Sequence, residues 1–181
     1  MIEVRLGELA ETEAAAILRP VAADWTAVTP ATRRLEVAAG RDVAAQCERL
    51  GELPVGSAAI TPAGPLPSQF LIHVIVRAAD QPVTAGIVKR ALLNGLRRAG
   101  EWGVSTLALP PIGTGAGNLD AEQAADVMLS VLNDEMPRLP QLERVIIVVD
   151  HEYDRDAFAR ALAREAVGGQ AADDAVTGSS S

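Results

Sequence analysis

The stretch LALPPIGTGAGNLDAEQAA, residues 107–125, places a glycine-rich loop between a predicted strand and a predicted helix. The apolar residues 105–109 predict the strand, and Asp120 followed by Gln123 is typical of a helix N-cap with a capping box. The loop contains Gly113, Gly115 and Gly117. Because glycine adopts positive φ and lets successive backbone N–H groups point into one concavity, the loop predicts a phosphate site. The alternative is a connection without a ligand.

The rest of the chain alternates strands with helices. Strands are predicted over residues 2–6, 14–21, 57–61, 70–76, 105–109 and 144–150, and helices over 32–50 (broken at Gly40), 84–100, 120–136 and 154–166. This alternation predicts an α/β fold with a mostly parallel sheet and helices on both faces. Ligands of such sheets bind beyond the carboxyl ends of the strands, and the glycine loop follows one of those ends.

The domain organisation follows from length and composition. A chain of 181 residues with 49% apolar residues suits one domain, which we place over residues 1–167. The last segment, GGQAADDAVTGSSS over 168–181, has almost nothing to bury and is predicted to be disordered.

Charge and cysteine content exclude several classes of function. The net charge of −8 disfavours general nucleic-acid binding and binding to anionic membranes. Cys47 is the only cysteine, so no internal disulfide forms, and the first residues, MIEVR, do not resemble a signal peptide. We therefore expect a cytoplasmic protein. Without a Cys/His cluster of metal-ligand spacing, we expect no metal and no cofactor; the oligomeric state is open.

Several short motifs occur in an order that resembles the macro domain family. They are Ala38-Ala39-Gly40, Cys47-Glu48, Pro54-x-Gly56-x-Ala58, Ile72-His73, Ile112-Gly113-Thr114-Gly115 and Ala124-Ala125. The resemblance covers about residues 1–166. It implies a three-layer α/β/α sandwich with a mixed, mostly parallel sheet, and a cleft for ADP-ribose or a related NAD-derived adenine nucleotide.

The resemblance also implies roles for individual residues. Glu8 would accept a hydrogen bond from the adenine amino group, Leu9 would supply a nearby backbone N–H, and Asp150 would lie beside the adenine. The bend that begins at Ile112 would offer its amides to the diphosphate. These amides belong to Gly113, Thr114, Gly115, Ala116 and Gly117.

The sequence departs from the family pattern after the second strand. Arg19-Pro20-Val21-Ala22 stands where the family has Asn-Ala-Ala-Asn, and Ala22 cannot position a distal ribose or a catalytic water. No glycine occurs between Gly7 and Gly40, and the family's acidic position falls near Thr32. The resemblance therefore implies half of a phosphate cradle and no efficient hydrolase activity.

Other candidate residues have two interpretations each. Arg19, and likewise Arg33 and Arg34, is expected to be solvated, the alternative being a guanidinium that contacts phosphate. Trp25 is expected to pack on the core, the alternative being a stack on a base. His73 is expected to be an interior histidine, and Cys47 a small buried hydrophobe.

Three functions follow from these patterns. The first is nucleotide binding, with ADP-ribose or an ADP-ribosylated protein as partner. The second is hydrolysis of an ADP-ribosylated protein or of O-acetyl-ADP-ribose, in which Asp24, Arg19, Arg33 or Arg34 of the rebuilt loop supplies the chemistry. The third is a degenerate domain that serves as an interaction module.

Overall fold

The computed structural model describes residues 1–79, 81–115 and 118–177. Six strands and four helices alternate along the described chain, with short 3₁₀ turns at Leu9–Glu11 and Met136–Arg138. The strands are β1 (Ile2–Leu6), β2 (Ala16–Ala22), β3 (Ala58–Pro62), β4 (Phe70–Arg77), β5 (Thr106–Leu109) and β6 (Arg144–Val149). The helices are α1 (Pro30–Leu50), α2 (Ala85–Glu101), α3 (Ala121–Glu135) and α4 (Glu152–Thr177).

The strands form one six-stranded sheet in the order β1-β6-β5-β2-β4-β3. All neighbouring pairs are parallel except β3 with β4. The predicted mixed, mostly parallel sheet is therefore confirmed. Strand β6 is apolar throughout its interior because both of its faces are covered, as is usual for a central parallel strand.

Helices cover both faces of the sheet. On one face, Leu92 of α2, Leu129 of α3 and Phe158 of α4 belong to one buried cluster with strand residues. On the other face, Leu35 and Val43 of α1 belong to a second cluster. The three-layer sandwich is thus confirmed. Within the described ranges, no helix combines the length and apolarity needed to cross a membrane.

Strand β2 continues through Pro20 and ends at Ala22, one residue beyond the predicted end. Proline cannot donate a backbone hydrogen bond, so it is rare inside a central strand. The ladder between β2 and β5 contains only Ala16 and Ile17, so Pro20 lies beyond its end. This early end of the ladder opens a crevice between the carboxyl ends of β2 and β5.

Helix α1 has the predicted break at Gly40, whose φ is 81° and ψ is −179°. The helix begins at Pro30, two residues before the predicted start, because Thr29 is its N-cap. The side-chain oxygen Oγ1 of Thr29 accepts a hydrogen bond from Thr32 N, and Oγ1 of Thr32 accepts one from Thr29 N. The two bonds form a capping box.

Helix α4 differs from the prediction at both ends. It begins at Glu152, two residues before the predicted start, so Asp154 lies inside its first turn. It runs to Thr177, well into the stretch predicted to be disordered. The alanines of that stretch favour helix, and extending a helix costs little once it has formed. Residues 178–181 lie outside the described residues, and the domain boundary at residue 167 stays a prediction.

Candidate functional site

A crevice lies at the point of the sheet where the connections between strands change direction. From β2 the chain crosses one face through α1, and from β5 it crosses the other face through α3, so the neighbours β2 and β5 form a topological switch point. Open α/β sheets bind ligands outside the carboxyl ends of strands at such points. A cavity of about 730 Å³ lies there, and it extends over the end of β6. Its walls include Thr29, Arg34, Thr114, Gly115, Asp150 and Tyr153.

The glycine loop after β5 contributes one wall of this cavity. Thr114 and Gly115 line the cavity, and Gly115 has a φ of 128°, which favours glycine. The bend is closed by Asn118 N, which donates to the Gly115 carbonyl at 3.1 Å, and by Leu119 N, which donates to the Gly113 carbonyl at 3.0 Å. The predicted ligand residues Ala116 and Gly117 lie outside the described residues.

Two other loop residues face the core. Ile112 is fully buried, and its N–H donates to Met128 Sδ at 3.2 Å. Gly113 has a φ of 85°, and a Cβ at this position would lie 2.6 Å from Val88 Cγ2. Neither residue lines the cavity. Glycine is therefore required at 113 because the loop packs tightly on α2.

The first turn of α3 offers little to an anion. Asp120 Oδ1 accepts from Gln123 N at 2.8 Å, and Gln123 Oε1 accepts from Asp120 N at 3.1 Å. The predicted capping box is thereby confirmed. Asp120 also lines the cavity, where its carboxylate adds negative charge beside the glycine loop.

The first turn of α1, on the opposite wall, is also occupied internally. Its capping box uses the Thr32 and Thr29 amides, and Pro30 has no N–H. Thr32 is fully buried, and its hydroxyl donates to the Thr29 carbonyl at 2.9 Å. This wall therefore has no row of amide donors comparable with a glycine run.

The segment after β2 folds back on the strand and leaves the cavity open. Ala22 N donates to the Thr26 carbonyl at 3.0 Å, and Trp25 N donates to the Ala22 carbonyl at 2.9 Å. Trp25 is 8% exposed, and its indole Nε1 donates to the Gly51 carbonyl at 2.8 Å. It lies in the α1-side core and not on the cavity wall, so the core-packing interpretation is confirmed.

Asp24 lies outside the main cavity. Its Oδ1 accepts from Thr26 Oγ1 at 2.7 Å, and this hydrogen bond is the first cause of a lowered pKa of Asp24. The residue lines a separate pocket of about 350 Å³ at the ends of β2 and β4, together with Glu52 and Arg77. Asp24 is thus not among the residues that a ligand in the larger cavity would meet.

Arg19 is buried, and its expected solvent exposure is wrong. It is 2% exposed, with Nε donating to His73 Nδ1 at 2.8 Å and Nη2 lying 3.9 Å from Cys47 Sγ. Alternation along β2 places Arg19 on the face of Ile17 and Val21, which α1 covers. Burial lowers the pKa of Arg19, and Nη1 has no partner among the described residues. Arg19 does not line the cavity.

His73 is the interior histidine that the sequence predicts. It is fully buried, and its Nε2 lies 2.9 Å from Thr61 Oγ1. Because Arg19 Nε donates to Nδ1, the Nε2 nitrogen carries the proton and donates to Thr61. Burial, with the nearby Arg19 charge, holds the pKa of His73 well below 6.5. Cys47 is buried as predicted, and burial raises the pKa of its thiol.

The structure brings Glu8 and Asp150 together through a third residue, Arg34. Arg34 Nε donates to Glu8 Oε2 at 2.8 Å, and Nη2 donates to Asp150 Oδ2 at 2.9 Å. The hydrogen bonds to Glu8 and then to Asp150 raise the pKa of Arg34. Leu9, next to Glu8, is 2% exposed and belongs to the core.

From the sequence alone, Arg34 was either a solvated arginine or a guanidinium that contacts phosphate. Two features of the sequence could have predicted its ion pairs. Arg34 lies in the second turn of α1, which begins at the crevice, and acidic residues follow β1 and β6. Arg33, its neighbour, is exposed and lies only along a shallower groove beside the cavity.

The cavity carries more acidic than basic groups. Asp120, Asp150 and Asp154 line it, and Arg34 is the cation among its described lining residues. Burial raises the pKa of Asp154, and repulsion by Asp150 acts in the same direction. An anionic ligand would therefore depend on backbone amides and on Arg34. Over the described ranges, no three His, Cys, Asp or Glu side chains are grouped as a metal site would require.

Comparison with known proteins identifies the family. The macro domain family model matches residues 31–128. A protein of Pyrobaculum aerophilum is 30% identical over 66% of this chain and 65% of its own length. A protein of Enterobacter sp. named O-acetyl-ADP-ribose deacetylase is 29% identical over 89% of this chain and 93% of its own length. The chain belongs to the macro domain family, as the sequence motifs indicate.

Solved structures agree with this assignment of the fold. The Oceanobacillus iheyensis macrodomain mutant G37V, solved with ADPR, superposes with a TM-score of 0.82 at 20% identity, covering 90% of this chain and 92% of that one. Other relatives are longer, and the chain spans 34% of the length of a Mycobacterium tuberculosis protein that it matches at 29% identity.

Proposed function

We propose that this macro domain binds ADP-ribose or a related NAD-derived adenine nucleotide in the cavity between the first turns of α1, the loop after β5 and the end of β6, with an ADP-ribosylated protein as a further partner. The observation that carries the proposal is the open cavity of about 730 Å³ at the switch point of the sheet, with a glycine bend in its wall. Relatives support it, since ADPR and ADP are named with solved neighbours of the same fold.

The diphosphate lies against the bend at Thr114 and Gly115. Both residues line the cavity, the Thr114 hydroxyl can donate, and the positive φ of Gly115 turns the backbone without a side chain in the way. The acidic groups of the cavity make this bend the favourable place for phosphate, because amide dipoles stabilise an anion without a counter-charge.

The base lies at the opposite end, near Asp150, Arg34 and Glu8. Tyr153 lines this end and is 66% exposed, so its ring offers an unoccupied face to a planar ligand. A base stacked on an aromatic ring contributes about 1–3 kcal/mol to binding. The ring and the charged cluster together suit a purine more than a second phosphate.

Efficient hydrolysis is not part of the proposal. Ala22 ends β2 without a polar side chain, the Thr32 hydroxyl is used inside the capping box, and Asp24 lies in the separate pocket. Arg19, another residue considered for the chemistry, is held in the core. Turnover of O-acetyl-ADP-ribose that is lost on Asp24→Ala would support the hydrolase hypothesis instead.

Calorimetric titration with ADP-ribose tests the binding proposal. In the Thr114→Glu variant, the added carboxylate should repel the diphosphate and weaken binding at least tenfold. Ser105→Glu is the matched control, because exposed Ser105 lies just before β5, at the opposite end of that strand from the glycine loop. It adds the same charge and should bind as the unaltered protein does. No heat with the unaltered protein at millimolar ADP-ribose would refute the proposal.

A further inference from the structure

Arg34 occupies one oxygen of each of the two carboxylates at the proposed base end of the cavity. Its Nε and Nη2 engage Glu8 Oε2 and Asp150 Oδ2 at 2.8 and 2.9 Å. Hydrogen bonds between ionised partners are about twice as strong as bonds between neutral ones. A neutral amino group must therefore compete with a guanidinium for these two oxygens, and a base that approaches the bridge also meets the guanidinium itself.

The exposed part of Arg34 presents the opposite chemistry to the cavity. A guanidinium has five N–H donors and no acceptor, and the two carboxylates use two of those donors in the described structure. Arg34 lines the cavity, and its side chain is 43% exposed, so further N–H groups are available to a ligand. A carbonyl oxygen on the base can accept from these donors, whereas an amino group would place its own N–H donors against them.

The surroundings of the bridge fix where its three side chains meet. Asp150 also lies 3.7 Å from His151 Nε2, and Glu8 follows a loop that Gly7 N fixes to the Val149 carbonyl at 2.9 Å. Arg34 itself projects from a capped helix. The three side chains come from three separate elements, so the bridge forms one preorganised surface at the base end of the cavity.

We propose that Arg34 is the specificity-determining residue of this site, and that it shifts base preference from 6-amino purines towards 6-oxo purines. The inference rests on the proposed nucleotide function and concerns which purine base that site prefers. The unaltered protein then binds a hypoxanthine or guanine nucleotide at least as tightly as the adenine one. Removing the guanidinium exposes both carboxylates as acceptors and restores the preference for adenine.

The test compares adenosine diphosphate with inosine diphosphate, which differ in the 6-amino and 6-oxo groups. Both are titrated into the unaltered protein, Arg34→Met and Arg33→Met, with ADP-ribose as a third ligand. Methionine keeps an unbranched chain and removes the donors. Arg33→Met is the matched control, because it removes the same charge from the neighbouring exposed position. Ratios of the two affinities cancel any general weakening, and thermal unfolding checks that each variant folds.

The expected result is an inosine-to-adenosine affinity ratio of one or more for the unaltered protein and for Arg33→Met. Arg34→Met should shift the ratio towards adenosine by about threefold to tenfold, the range of one net hydrogen bond. A tenfold adenosine preference in the unaltered protein, or an unchanged ratio in Arg34→Met, overturns the inference while ADP-ribose binding stands. Failure of all three ligands to bind the folded, unaltered protein overturns the proposed function and this inference together.

Discussion

The loops that follow β5 and β2 face the same cavity but are built in different ways. The β5 loop turns on glycines with positive φ and presents Thr114 and Gly115. The β2 loop contains no glycine and is held by side chains, through the Trp25 indole and the Thr29–Thr32 capping box. One wall can therefore contact a ligand through its backbone, whereas the other has used its first-turn donors internally and offers the guanidinium of Arg34. The difference shows that the two walls of one site can be built by different means, one by backbone geometry and the other by side chains.

The largest loss of stability is expected at Trp25, the side chain that anchors the β2 loop. Trp25→Ala should lower the free energy of unfolding by about 3–5 kcal/mol, because it removes a buried indole and its bond to Gly51. Urea denaturation measures the loss. Trp102→Ala is the control, since Trp102 is 53% exposed and should cost much less. Equal losses in the two variants would contradict the anchoring role of Trp25.

The β5 loop should respond differently at its two described glycines. Gly113→Ala is expected to lower the free energy of unfolding by about 3 kcal/mol, since its Cβ would overlap Val88 at a φ of 85°. In Gly115→Ala the new Cβ would lie 3.5 Å from Asn118 Nδ2, so this variant has backbone strain without a clash and should cost less. Urea denaturation ranks the two variants. The reverse ranking would contradict the assignment of Gly113 to packing and Gly115 to the cavity.

The free energy of unfolding should depend on pH through His73, which lies in the core beneath the β2 loop. The folded-state pKa of His73 lies well below its unfolded value near 6.5, so the unfolded state takes up the proton first as the pH falls. Stability is therefore complete above pH 6.5 and decreases below it by up to about 1.4 kcal/mol for each pH unit, until the folded pKa is reached.

Unfolding curves at pH 7.5 and at pH 5 measure this dependence. His73→Gln should remove most of it. His151→Gln supplies the comparison, because the exposed side chain of the other histidine should leave the dependence intact. A pH dependence that survives in His73→Gln and disappears in His151→Gln would refute the assignment.

The smallest stability effect is expected at Arg34. Its two ion pairs are partly exposed, with side-chain exposures of 43% for Arg34, 43% for Glu8 and 29% for Asp150. Solvent screening limits each pair to about 0–1 kcal/mol, so Arg34→Met should change the midpoint of urea unfolding only slightly. A loss as large as that of Trp25→Ala would mean that the bridge holds the fold together rather than shaping the base end of the cavity.

Local patterns predicted most of the fold. The alternation of apolar strands with amphipathic helices, the break at Gly40 and the capping box at Asp120 depend on neighbouring residues, and all are confirmed. The start of α4 was predicted two residues too late. Aspartate is a common N-cap residue, which favoured a start at Asp154, but the chain turns earlier, directly after β6. Propensity could not locate that turn, since the end of the neighbouring strand determines it.

The candidate site was predicted less completely because its side chains come from distant elements. Arginine is usually exposed, yet the position of Arg19 in a central strand places its side chain beneath α1. The pairing of Arg34 with Glu8 and Asp150 joins residues 26 and 116 positions apart. No local pattern contains such a separation.

The amino-acid order by itself determined the layered architecture and the place of the glycine bend at a strand end, because both depend on short-range periodicity and turn chemistry. The family followed from the order of several short motifs that resemble those of macro domains. Tertiary structure alone decided which bend residues face the cavity and which face the core, that Arg19 is buried, and that Arg34 joins two carboxylates. The physical reason is that burial and ion pairing depend on distances between elements, which are set only when the helices close over the sheet.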